Sequence, residues 1–192
     1  MRKERVGFAV CGSFCTHGEV LQALERMVNT YETVIPIVSE ISAEKDTRFG
    51  TAQALLGELE RLTGRTPLRE IPEVEPIGPK ELLDVLVIAP ATGNTIAKLA
   101  AGITDTAVTM AAKAHLRNGR PVVIAMASND GLAAGARNIG ELLVRKHYYF
   151  VPFGQDAPLS KPTSLIADFG KLEETVDAAL RGEQIQPILL RA

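Results

Sequence analysis

The chain has 192 residues, with 21 Lys and Arg against 23 Asp and Glu for a formal net charge of −2, and it is 46% hydrophobic and 23% charged. That length favours one domain, 1–192, with a real core, and the composition is that of an ordinary globular protein. The charge excludes a nucleic-acid surface, which needs a strong basic excess, so any bound anion has to be held by local donors.

The N-terminal stretch MRKERVGFAVCGSFCTHGEV places basic residues before an apolar run, as a signal peptide does. The run is short, breaks at Gly12-Ser13 and lacks a small-residue cleavage pattern. It reads as a first strand, RVGFAVCG, followed by a helix from about Gly18 to Asn29. No segment approaches the ~18 apolar residues of a membrane span. Cys11 and Cys15 lie too close together to staple a domain and read as reduced thiols of a cytoplasmic protein.

TVIPIV, Thr33 to Val38, predicts a second strand, with Pro36 placing it near an edge or a bulge. Ala52, Leu55, Leu56, Leu59 and Leu62 then recur at helical spacing, and Gly64 suits the position after a helix. RTPLREIPEVEPIGPKE holds four prolines and predicts an extended connection with room for a short strand. DVLVIAP, Asp84 to Pro90, is almost purely apolar, the mark of a strand covered on both faces. Helices are expected over Gly93 to Ala101 and Thr104 to Leu116, a buried strand over Pro121 to Ala127, and a helix across LAAGARNIGELLVRKH. YYFVP reads as a last core strand, FGQDAPLSKPTS as a loop, Phe169 to Leu180 as a helix, and about 181–192 as a tail. Repeated β-α units with near-continuous apolar strands predict an α/β fold, a doubly wound, mostly parallel sheet with helices on both faces.

Ligands of such sheets sit beyond the carboxyl ends of the strands, and four of those ends carry unusual residues. After the first strand, Gly12 and Ser13 offer backbone N–H groups and a hydroxyl to a phosphate, or form a plain turn capped by Ser13 or Thr16. The G-x-G-x-x-G dinucleotide fingerprint is absent. After the second come Ser39 and the TRFG loop, whose Arg48 is either a bidentate carboxylate clamp or a surface arginine. After the central strand, Pro90 leads into Ala91, Thr92 and Gly93, too small to block a flat ligand, and then to Asn94 and Thr95 at a helix start. Thr92 or Asn94 equally suits an N-cap. After the next strand stand Ser128, Asn129 and Asp130, again with an N-cap as the plain alternative. Lys113, His115, Arg117 and Arg120 read as cations complementing a helix C-terminus. Lys161, in LSKPTS, approaches a site if its loop folds over it and is otherwise a solvated loop lysine. Cys11, Cys15 and His17 lack the further ligand that structural zinc needs.

APATGNTIAKLAAGITD resembles the PASANT segment of the flavoprotein family that contains the homo-oligomeric flavin-containing cysteine decarboxylases. The likeness extends to the GS after the first strand and to PVVIAMASND. It implies a Rossmann-like flavoprotein fold and FMN held by Gly12, Ser13, Ser39, Pro90, Thr92, Asn94, Thr95 and Ser128, with Asn129 in the position that contacts a substrate carboxylate. Two departures stand out. The decarboxylases' essential histidine falls on Pro76, which brings no proton donor, and their methionine after the fourth strand falls on Ser128. GSFCT, TRFG, APATGN, SNDGL, FVPFGQDAP and KPTS together resemble a narrower branch, the B subunits of dipicolinate synthase.

That branch implies an oxidoreductase subunit of spore-forming bacteria, cytoplasmic in the mother cell. It would act with an A subunit that carries NAD(P) to oxidise a dihydro- or hydroxy-tetrahydrodipicolinate precursor to pyridine-2,6-dicarboxylate. The substrate is a small dicarboxylate, for which Arg48 and Asn129 are the expected contacts; no catalytic residue is singled out, and a homo-oligomer is expected. Two alternatives stand beside it, a non-catalytic flavoprotein-fold partner that completes the A subunit and an FMN-dependent decarboxylase.

Overall fold

The structure is a computed structural model that describes residues 1–190; the last two residues of the expected tail lie outside the described residues. Its core is a parallel sheet of β1 (Arg2–Val10), β2 (Tyr31–Val38), β3 (Val85–Ala91) and β4 (Val122–Ser128) in the order β2-β1-β3-β4. β5 (Tyr148–Phe150) pairs in parallel with the first half of β4, from Val122↔Tyr148 to Ile124↔Phe150. The expected α/β fold is therefore present, and every residue of β3 is buried, as its unbroken apolar run requires.

Helices cover both faces. α1 (His17–Thr30) follows a short 3-10 turn, Phe14–Thr16. α3 (Ala52–Thr63) begins at Thr51, whose hydroxyl accepts from the Ala54 N–H, and ends at Gly64 with φ 66°. That left-handed conformation is one a side chain resists, which explains the glycine. α5 (Gly93–Ala101) and α6 (Ala107–Leu116) are capped at their starts by Thr92 and Thr106. α8 (Leu172–Leu180) closes the chain against the sheet. The alanines of α6 at 107, 111, 112 and 114 are buried within this one chain.

Pro36 sits on the outermost strand of the sheet, as expected. Its carbonyl accepts from Leu68 N–H at 2.9 Å on the side away from β1. A strand residue's N–H and C=O point the same way, so the missing N–H also faces outward and costs the β1 ladder nothing. Leu68 forms a lone parallel bridge to Ile37, all that exists of the short strand expected there.

Elsewhere the structure differs from expectation. The proline-rich connection is not extended but holds α4 (Ile71–Val74) and a 3-10 turn, Glu75–Ile77. Glu70 and Glu73 cap that segment reciprocally, and its prolines occupy first-turn positions where no N–H is needed. α2 (Glu40–Glu44) was not signalled by any apolar periodicity. α7 spans only Ala136–Leu143, because 130–135 is a tight turn in which Gly135 N–H bonds the Asp130 carbonyl at 3.1 Å. A Cβ on Gly135 would come 2.7 Å from that carbonyl oxygen.

Two short strands, β6 (Phe153–Gly154) and β7 (Leu165–Ala167), also replace expected loop. β7 runs antiparallel to the end of β4, with Ser128 opposite Leu165. β3 does not stop at Pro90 but continues to Ala91, and its register with β4 shifts between Ile88 and Ala91, where proline supplies no N–H. Of YYF, only Phe150 is fully core; the two tyrosines are half-buried.

Candidate functional site

The sheet reverses its order of connection at β1, which has β2 on one side and β3 on the other. The loops leaving the carboxyl ends of β1 and β3 therefore diverge and open a crevice. Gly12 and Thr92 stand at its centre, between two hollows that share them.

The first hollow, about 390 Å³, lies towards β2 and is lined by Gly12, Ser39, Ile41, Thr92, Asn94 and Thr95. A Cβ on Gly12 would lie 3.0 Å from Ile41 Cγ2, so a side chain there would crowd the wall. Thr92 Oγ1 accepts from Thr95 N–H at 3.2 Å and meets Thr95 Oγ1 at 3.0 Å. Helix capping thus accounts for Thr92, but not for exposed Asn94. Ser39 Oγ hydrogen-bonds Ser42 Oγ at 3.0 Å at the start of α2. Among the described lining residues the only cation, Lys98, is already bonded to both Asp105 oxygens, at 2.8 and 3.1 Å.

The second hollow, about 250 Å³, lies towards β4 and is lined by Ser13, Gly93, Ser128, Asn129, Asp156 and Lys161 among others. Ser128 Oγ accepts from Asp130 N–H at 3.2 Å. A Cβ on Gly93 would fall 2.7 Å from Ser128 Oγ, so glycine allows α5 to start this close to β4. Asp156, Lys161 and Ser164 come from the β6–β7 segment. Sequence reasoning missed Asp156 and Ser164, because only the antiparallel pairing of β7 with β4 carries that segment to the site.

The structure thus gathers Gly12, Ser13, Ser39, Thr92, Asn94, Thr95, Ser128 and Asn129 around one crevice. Pro90 is buried in β3 and lines neither hollow. Arg48 is not brought there either. It is exposed, with its guanidinium 4.8 Å from the Phe49 ring centroid. Its neighbours Thr47, Phe49 and Gly50 rim a separate hollow of about 350 Å³ behind Phe14 and His17.

The nearby thiols and imidazole do not form a reactive cluster. Burial pushes the Cys11 thiol up to about 11, against weaker opposing bonds from Thr95 and the Thr92 backbone, so it stays protonated. His17 donates from Nε2 to the Cys11 carbonyl at 2.9 Å, and burial lowers its pKa. Cys15 is exposed. No group of three or more His, Cys, Asp or Glu among the described residues is placed to hold a metal.

The crevice therefore offers hydroxyls, two side-chain amides and helix-start N–H groups beside glycines. That donor set suits a planar ligand carrying a phosphate. A doubly wound sheet with such a crevice defines a flavoprotein-type fold. The Flavoprotein family matches residues 1–150, and the chain belongs to that family.

Among its relatives, the B subunit of dipicolinate synthase from Bacillus subtilis (strain 168) is 42% identical over 190 residues, spanning 99% of this chain and 95% of that one. The crystal structure of the dipicolinate synthase B subunit from Bacillus halodurans superposes with a TM-score of 0.90 at 43% identity, covering 99% and 97% of the two chains. The FMN-dependent cysteine decarboxylase SpaF superposes with a TM-score of 0.68 at 25% identity, covering 92% and 97%. No described helix is long and apolar enough to cross a membrane.

Proposed function

We propose that this chain is an FMN-binding B subunit of a dipicolinate synthase that works with an A subunit carrying NAD(P). The observation that carries the reading is end-to-end similarity to two dipicolinate synthase B subunits, in a chain whose crevice fits a flavin. Gly12, Ser13, Ser39, Asn94, Thr95 and the N–H groups at the start of α5 would hold the FMN. Ser128 would border it, and Pro90 would act only by shaping β3 beneath it. Bound flavin would supply the hydride acceptor that aromatising a dihydropyridine dicarboxylate requires. The chain's own residues would orient that substrate, with Asn129 as a neutral donor to a carboxylate. Arg48 would serve as a carboxylate clamp across a contact between copies, since within one chain it lines neither hollow. Such a homo-oligomer would also cover Ile41 and Phe49, both more than half exposed beside the site.

A non-catalytic partner role is favoured by one specific feature: the described crevice presents no histidine. Decarboxylation has less support, because Pro76 lies in the 3-10 turn before β3 and brings no proton donor. The test is the visible spectrum of the purified protein after incubation with FMN and desalting, followed by assay with the A subunit. Retained flavin that bleaches with substrate supports the proposal. Full activity of a flavin-free pair of subunits overturns it in favour of the non-catalytic role.

A further inference from the structure

The second hollow contains one cation. Among its described lining residues, Lys161 is the only Lys, Arg or His. Its place is fixed by bonds that a free loop would lack. Thr163 Oγ1 donates to the Asn129 carbonyl at 2.7 Å, and Leu132 N–H donates to the Thr163 carbonyl at 2.9 Å, tying the segment to the β4–α7 turn. Gln155 Nε2 donates to the Pro162 carbonyl at 2.8 Å, and Lys161 N–H donates to the Ala157 carbonyl at 2.7 Å, folding the segment on itself. The Ser128–Leu165 pairing sets this folded segment beside Ser128 and Asn129.

Lys161 Nζ donates to Asp156 Oδ2 at 2.9 Å. That bond, then one from the buried Ser164 hydroxyl, holds Asp156 below its ordinary pKa and therefore ionised. An ammonium carries three N–H donors. One is used on Asp156, and since the side chain is 54% exposed the other two are accessible to a ligand that displaces solvent. The chamber is small, about 250 Å³, and apart from Lys161 and Asp156 its described polar lining residues, Ser13, Ser128 and Asn129 among them, carry no formal charge. It adjoins the first hollow at Gly12 and Thr92, so a carboxylate held here would place the rest of a planar molecule towards the crevice centre.

We infer that this chamber is a carboxylate subsite in which Lys161, positioned by Asp156, is the specificity-determining cation for a small heteroaromatic carboxylate. The identity of the ligand rests on the function proposed above; the preference for an anion rests on the Lys161 donors that Asp156 leaves unused. Asp156 sets the strength of the site. Its own charge opposes a second carboxylate, so the pair discriminates among anions rather than gripping all of them.

The experiment is calorimetric titration of the full-length protein, after FMN incubation, with pyridine-2,6-dicarboxylate and with the uncharged pyridine-2,6-dicarboxamide. Lys161→Gln should weaken the dicarboxylate at least ten-fold and leave the diamide unchanged, Lys161→Arg should restore most of the loss, and Asp156→Asn should tighten dicarboxylate binding several-fold. Dicarboxylate affinity unaltered by Lys161→Gln, equal loss of both probes, or no binding by the unmodified protein overturns the inference. Arg48→Ala in parallel asks whether that arginine is the clamp instead. Flavin retention is read separately by absorbance. A colourless protein that still shows the Lys161 dependence removes the flavin reading and leaves the subsite standing.

Discussion

The two ends of the parallel sheet treat polar groups in opposite ways. At the amino end, charges are committed to one another. Asp84 accepts from Arg5 N–H at 2.8 Å, from Arg5 Nε at 3.1 Å and from Arg5 Nη2 at 3.0 Å, and it lies 3.2 Å from Arg120 Nη1. Arg120 also pairs with Glu81 and donates to the Leu83 carbonyl, and Arg2 pairs with Asp177. At the carboxyl end, two lysines are each paired with an aspartate, but most of the polar groups that face the two hollows are hydroxyls and the amides of Asn94 and Asn129. Satisfied polar groups lock the strands together, while accessible ones are available to a ligand. The amino end is thus tied together by ion pairs, and the carboxyl end is where the proposed ligand would sit.

His115 corrects one sequence expectation at the amino end. It is not a cation serving a helix terminus. It is fully buried, it donates from Nε2 to the Pro121 carbonyl at 3.1 Å, and its Nδ1 has no partner. Burial first, and Arg120 second, lower its pKa from 6.5 to about 4, against the Pro121 bond and Asp84. The unfolded chain therefore binds more protons than the folded one between those values, and stability falls as pH drops from 6.5 towards 4. The loss should reach about 3 kcal/mol. His115→Gln should flatten most of that slope in denaturant titrations across the range, with His17 leaving a remainder of the same sign. An unchanged slope would break the assignment.

Asp84→Ala should cost about 2 kcal/mol, the loss of a partly exposed ion pair with several hydrogen bonds, and leave flavin retention intact. Burial alone would raise the Asp84 pKa, but Arg5 and then Arg120 hold it below 3.8. Its contribution is thus present at neutral pH and is lost only as pH falls through that lower value, below the His115 window. A smaller effect, about 1 kcal/mol, is expected for Thr51→Ala, which removes the cap on α3 and lines neither hollow of the crevice. Thr92→Ala should cost a similar amount and also weaken FMN, because Thr92 belongs to both a cap and the crevice. Ser13→Ala and Asn94→Ala should leave the melting temperature unchanged while each lowers FMN affinity about ten-fold. If they destabilise the protein instead, the carboxyl end is structural and the comparison fails.

Much of this architecture is legible in the residues alone. Asp84 to Pro90 marks a doubly covered strand, Gly64 a helix end, and the small residues from Ala91 to Gly93 a place where a flat ligand can approach. These are local signals, set by side-chain size, periodicity and backbone preference. What the sequence by itself determined was therefore the alternation of strand and helix and the clustering of polar residues at four strand ends. The tertiary structure decided the rest. It left Arg48 outside both hollows of the crevice, buried His115 as a neutral ring, and folded 153–167 back beside β4 so that Lys161 lines the same hollow as Asn129. Each of those outcomes depends on which distant segment lies against the residue, and neither composition nor periodicity carries that information.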